Sequence, residues 1–100
     1  MELIAFANKA IDELIAEEGE KLYLKPCPFC GGSDLVFETV RHYGCNTVYM
    51  RVACQKIICL SSGGEVVVGE AQEEVDGKDL GRVLNAMQRA REAWNRRTTK

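Results

Sequence analysis

Cys27-Pro28-Phe29-Cys30-Gly31-Gly32 is answered further along the chain by Cys54-Gln55-Lys56-Ile57-Ile58-Cys59. Two cysteine pairs separated by enough chain for a β-hairpin read as the two halves of one zinc site. Four thiolates at tetrahedral separation satisfy Zn2+ and hold together a chain with little core of its own. In the first half, the two-residue spacer lets both sulfurs converge on an ion while backbone N–H groups of the turn point back at them. Gly31 and Gly32 keep that turn open. The second half, with four residues between its cysteines, sits at the upper end of structural zinc spacings. The expected ligands are therefore Cys27, Cys30, Cys54 and Cys59, with Zn2+ as the cofactor.

The rest of the composition fits that reading. A chain of 100 residues buries only roughly 60 to 70% of its unfolded surface, so a metal staple helps it fold. A hydrophobic fraction of 46% and a charged fraction of 28% exclude a disordered chain. No apolar run is long enough to span a membrane, and Met1 to Glu20 carries acidic residues where a secretory leader carries basic ones. These features point to the cytoplasm, where thiols stay reduced, so five cysteines favour metal over a disulfide framework. A redox dithiol is the competing reading, but it belongs between a strand and a helix, whereas this pair sits in a turn between strand-like runs.

Two further side chains lie near the sites. Cys45 is expected to be a free thiol, with replacement of Cys54 or Cys59 as the alternative. His42 is expected to be a solvent-facing loop residue, since four cysteines already complete the site.

Hydrophobic periodicity supplies the elements. Leu3, Ile4, Ala7, Ile11, Leu14 and Ile15 recur at helical spacing, so residues 1–20 form an N-terminal amphipathic helix ending near Gly19. Runs rich in β-branched and aromatic residues follow at Leu22 to Leu24, Leu35 to Val40, Thr47 to Ala53 and Glu65 to Val68, each bounded by turn formers. Val48, Met50 and Val52 alternate onto one face and bring Cys54 in behind them. Gly69 to Gly77 reads as a solvated acidic loop. Leu80, Val83, Leu84, Met87 and Trp94 mark a helix from about Lys78 to Arg96, with Asp76 or Asp79 as its N-cap. The fold class is α+β: a small antiparallel sheet between two helices, with residues 21–100 as the zinc-bearing part of one compact unit.

The net charge of −2 hides a polarity. Residues 1–20 hold six acidic groups against Lys9, a balance of −5, and residues 82–100 hold six basic groups against Glu92, a balance of +5. The two ends are expected to be solvated or to lie beside one another, within the fold or across a dimer; contact of the basic end with nucleic acid or an acidic protein face is the sharper alternative. A closed four-thiolate site offers no open coordination position, and no other catalytic constellation is visible, so the chain reads as a non-enzyme.

Leu24-Lys25-Pro26-Cys27-Pro28-Phe29-Cys30-Gly31-Gly32, then Val52-Ala53-Cys54, then Ala90-Arg91-Glu92-Ala93-Trp94-Asn95-Arg96-Arg97 resembles, in that order, the Lar-type restriction alleviation proteins of phages and prophages. The resemblance covers roughly residues 22 to 97. It implies a rubredoxin-like zinc ribbon with a C-terminal helix. It also implies an anti-defence activity in the bacterial host cytoplasm, relieving type I restriction of phage DNA by favouring methylation over cleavage. The second knuckle departs from the family pattern in its four-residue spacer and in Leu60, which stands where the family has glycine. Residues 1–20 lie outside the resemblance.

The partner expected on this basis is a restriction and modification subunit or a similar host defence protein, and no membrane. The alternative is a zinc-ribbon nucleic-acid binder or transcription adaptor using Arg89, Arg96 and Arg97. The N-terminal stripe is expected to fold back on the ribbon, with homodimer pairing as its alternative. Trp94 is expected to anchor the last helix and Asn95 to bond a nearby turn, while Phe29 is expected to pack over the zinc turn.

Overall fold

The computed structural model describes residues 2–42 and 44–97, and the side chain of Arg97 lies outside the described residues. Val48, Met50, Val52 and Cys54 are all buried, and the residues between them are half-buried. This period-two pattern is that of a strand with one face against a core. The strand, β2 (Thr47–Cys54), is the centre of a three-stranded antiparallel sheet between β1 (Leu35–Arg41) and β3 (Ser62–Glu70). The β1–β2 register runs unbroken from Leu35 opposite Cys54 to Arg41 opposite Val48. The β2–β3 register shifts twice, between Val48 and Tyr49 and between Met50 and Val52, irregularities that add local twist.

β3 begins earlier than its β-branched residues suggest, at Ser62, and includes Gly63 and Gly64. Gly64 has φ +71°, and a Cβ there would lie 2.5 Å from the carbonyl oxygen of Ala90 and 3.2 Å from the nitrogen of Trp94. The strand continues through these glycines because the backbone of the C-terminal helix, α2 (Leu80–Arg97), lies directly upon it.

α2 buries Val83, Ala86, Met87, Ala90 and Trp94. It starts two residues later than the pattern predicts. Asp76 Oδ1 accepts the Lys78 N–H at 3.0 Å, and its carbonyl accepts the Asp79 N–H at 3.0 Å, which makes a tight turn ahead of the helix. The N-terminal helix, α1 (Leu3–Glu18), buries Leu3, Phe6, Ala7, Ala10, Ile11 and Leu14. Its buried face is thus turned from the predicted stripe: Ile4 is half-buried and Ile15 exposed, while Phe6 and Ala10 take their places. One cluster joins these side chains to Phe37, Val48, Met50 and Val52 of the sheet and to the stripe of α2. The acidic and basic helices do lie against each other.

Two expectations are corrected. Leu22 to Leu24 is not a strand: Gly19–Leu22 is a 3-10 turn, and the extended segment after it directs its backbone groups to α2 instead of to a neighbouring strand. Nor is Gly69 to Gly77 merely solvated. Ala71 and Val75 are buried, the Ala71 N–H reaches the Asn46 carbonyl at 2.8 Å, and the Glu73 carbonyl accepts the Leu3 N–H at 3.0 Å, so this stretch ties down the start of α1. Among the described residues no helix is long and apolar enough to cross a membrane.

Candidate metal centre

Hairpin register brings the two cysteine pairs together. Leu35 opposes Cys54, so the segment entering β1 and the segment leaving β2 lie at the same end of the sheet. The first knuckle is closed by the Gly31 N–H on the Cys27 carbonyl and the Cys27 N–H on the Gly32 carbonyl, both at 2.8 Å. Gly31 has φ +73°, a left-handed turn that glycine adopts without steric cost. In the second knuckle the Lys56 carbonyl accepts the N–H groups of Cys59 and Leu60, at 2.9 and 3.0 Å, and Cys54 N–H bonds to the Ser61 carbonyl at 2.8 Å. Gln55 N–H bonds to the Asp34 carbonyl at 2.8 Å, which stitches the two knuckles together.

The first knuckle is also held from behind by α2. Trp94, fully buried, donates its indole N–H to the Lys25 carbonyl at 2.9 Å. Asn95 accepts the Lys25 N–H at 2.8 Å and donates to the Tyr23 carbonyl at 3.1 Å, which also receives Arg91 Nε at 3.1 Å. The two ends of the recognisable sequence pattern, residues 24–32 and 90–97, are therefore in direct contact. The roles expected of Trp94 and Asn95 are both realised.

The sulfurs of Cys27, Cys30, Cys54 and Cys59 all lie within 4.8 Å of one another. The short contacts cross between the knuckles: Cys27 to Cys59 at 3.6 Å and Cys30 to Cys54 at 3.6 Å. These are too long for disulfides, whose sulfurs are bonded at ~2.05 Å. They match the edge of a tetrahedron around an ion with metal–sulfur bonds of ~2.3 Å, which is about 3.8 Å. Four soft donors at this spacing fit a thiophilic metal ion. Cys27 and Cys54 are buried, and Cys30 and Cys59 are half-buried, so the site is closed on its core side.

Electrostatics divides the cluster. Burial pushes the Cys27 thiol up, but hydrogen bonds from Ser61 and from the N–H groups of Cys30 and Phe29 outweigh it and bring it down to about 6. Cys59 is lowered by the side chain and N–H of Ser61. At Cys54 the Lys56 N–H pulls downward, but burial and the sulfurs of Cys30, Cys59 and Cys27 push the thiol up to about 12. These hydrogen bonds thus favour the thiolate at Cys27 and Cys59, while at Cys54 burial and the neighbouring sulfurs favour the thiol.

Ser61 is the residue that sequence reasoning missed. Its hydroxyl lies 3.1 Å from Cys27 Sγ and 3.3 Å from Cys59 Sγ, bridging the two halves. Its only sequence signal is a small hydroxyl residue just past the second pair.

Cys45 and His42 lie at the other end of the hairpin. β2 has eight residues, so at a rise of about 3.3 Å per residue its ends are about 23 Å apart. Cys45 therefore cannot replace Cys54 or Cys59. Its sulfur instead accepts the Thr47 N–H at 3.4 Å, and bonds from the Thr47 side chain and backbone lower its thiol. His42 is exposed, bonds Glu65 Oε1 through Nε2 at 2.8 Å, and meets the ring of Tyr49 edge-on at 5.0 Å. Phe29 does not cover the turn as expected. It is exposed, because a residue between two ligands of one knuckle points away from the ion they surround.

The basic end is only partly available to a ligand. Arg82 pairs with Glu73 at 3.1 Å and with Asp79 at 3.6 Å, and Arg91 is engaged with Tyr23. Arg89 and Arg96 are exposed, and the side chain of Arg97 lies outside the described residues.

Compared with known proteins, the chain matches one family model, described as restriction alleviation protein Lar, over residues 23–98. No curated protein and no solved structure matches.

Proposed function

Because the chain belongs to the restriction alleviation protein Lar family, we propose that it relieves restriction of incoming phage DNA. In this reading it binds a host type I restriction and modification complex in the bacterial cytoplasm and shifts that complex toward methylation. The family match, which takes in both knuckles and the closing helix, carries the proposal. Cys27, Cys30, Cys54 and Cys59 hold Zn2+ in this reading, and the metal supplies structure: with four protein sulfurs there is no open position at which water or substrate could be activated. The chain then acts by contact and not by catalysis.

Action through protein contact is also favoured over nucleic-acid binding by charge. The net charge is −2, and two arginines of the basic helix already serve intramolecular contacts. The apolar stripe of α1 is buried within the chain, which supports a single copy as the acting species.

Plating of unmodified phage on a type I restricting host tests the proposal. Expression of the chain should raise plating severalfold, and purified protein should carry one zinc per chain. Unchanged plating on every type I host tried would sink it.

A further inference from the structure

The second knuckle is two residues longer than the first, although the first closes its half of the sulfur cluster with only two residues between its cysteines. The extra length is turned outward. Ile57 and Ile58 are 87% and 86% exposed, and Leu60 beside them is 68% exposed, as is Phe29 on the first knuckle. Both knuckles surround the same four sulfurs, so these side chains crown one end of the molecule.

Leu60 is also strained. Among the described residues it alone, of those other than glycine, has a positive φ, +50°. The equivalent place in the first knuckle, directly after the second cysteine, is Gly31 at φ +73°. A left-handed turn is thus required after each cysteine pair, and glycine meets that requirement without strain. Leucine there meets it with strain and gains no core contact in return. Strain together with exposed apolar surface, neither of which stabilises the fold, marks a place kept for binding.

We propose that Ile57, Ile58 and Leu60, with Phe29 alongside, form a docking knob that inserts into an apolar groove on the host protein this chain binds. The inference rests on the contact with a type I complex proposed above. Side chains nearly as exposed as in an extended chain stand on a projection, and two projections cover little of each other. An isologous pair needs ~800 Å² from each copy, so a concave partner is the occupant that fits. An anionic bilayer fits poorly: Gln55 to Leu60 offers one cation, Lys56, on a chain of net charge −2, where retention at such a surface takes a cluster of about four to eight.

The test titrates a purified type I restriction and modification complex with the zinc-loaded chain and two variants, Ile57→Ser/Ile58→Ser/Leu60→Gly and Val67→Ser. Val67 is an exposed apolar residue midway along the edge strand β3, opposite Tyr49. The triple variant should keep its metal and circular dichroism, bind roughly a thousandfold more weakly, and fail to raise phage plating. Val67→Ser should match the parent in all respects. Should the triple variant lose its metal, Ile58→Ser alone makes the same comparison at roughly tenfold.

A triple variant that binds like the parent overturns the knob and leaves the family reading intact. A parent chain that neither binds nor alleviates overturns that reading and the knob with it. Sedimentation of the parent, but not the triple variant, with phosphatidylglycerol vesicles would assign the tip to a membrane and overturn the protein-groove proposal.

Discussion

Gly64→Ala should be among the most damaging small substitutions in this chain. Two separate costs fall on the new methyl group. At φ +71° a side-chain-bearing residue is strained by roughly 1–2 kcal/mol. In addition, the Cβ would stand 2.5 Å from the Ala90 carbonyl oxygen and 3.2 Å from the Trp94 nitrogen. Both atoms are backbone of α2, so relief requires moving the helix that carries the Trp94 and Asn95 contacts to Tyr23–Lys25; such overpacking costs roughly 1–3 kcal/mol. After subtracting about 0.5 kcal/mol for the stiffer unfolded chain, the loss is about 1.5–4.5 kcal/mol. For a domain of this size, at about 5 °C per kcal/mol, that lowers Tm by roughly 7–22 °C.

Gly44 provides the internal comparison. It has φ +75° but nothing within 4 Å of its Cβ position, so Gly44→Ala should cost only the strain, about 1 kcal/mol. Thermal unfolding followed by circular dichroism, at one fixed excess of zinc because bound metal shifts Tm, separates the two. Equal losses for the two variants would refute the close seating of α2 on β3.

Three further outcomes are expected. Replacing any one of Cys27, Cys30, Cys54 or Cys59 by serine should abolish stoichiometric zinc in native mass spectrometry, whereas Cys45→Ser should retain one ion; loss of zinc in the latter would contradict the assignment of ligands. Ser61→Ala should weaken zinc binding in a chelator competition by roughly 10- to 100-fold, since the hydroxyl that hydrogen-bonds between the Cys27 and Cys59 sulfurs is gone, and an unchanged affinity would deny Ser61 that role. Zinc affinity should fall with falling pH, because Cys54 holds its proton up to about 12 in the metal-free protein and the ion must displace it, at about tenfold per pH unit. Below about 6, where Cys27 is protonated too, the fall should steepen; affinity independent of pH between 6 and 8 would contradict this.

Features set by near neighbours were legible in the chain itself. The alternation of Val48, Met50, Val52 and Cys54 identifies a strand with one buried face and carries a cysteine to its end. The spacing within each cysteine pair and the helical stripes at both ends are equally local. The order Leu24 to Gly32, then Cys54, then Trp94 to Arg97 is enough to point to the family. Length and register together would even have removed Cys45 as an alternative ligand, because a strand of that extent puts it far from Cys54.

What the sequence could not decide depends on crossings between distant segments. Leu22 to Leu24 has strand-like residues, yet Tyr23 within it and Lys25 after it satisfy backbone groups on Asn95 and Trp94, some 70 positions away. Ser61 matters because its hydroxyl falls between two sulfurs from different knuckles, and Gly64 because a helix backbone comes to rest on it. The outward setting of Phe29, Ile57, Ile58 and Leu60 follows from which side of each turn the sulfurs occupy. Periodicity and spacing thus determined the two helices, the three strands and the cysteine pairs, and the resemblance of the quoted motifs pointed to the family. Tertiary structure decided which backbone groups are satisfied at long range and which apolar side chains are left outside, because packing and hydrogen bonding are settled only when the segments meet.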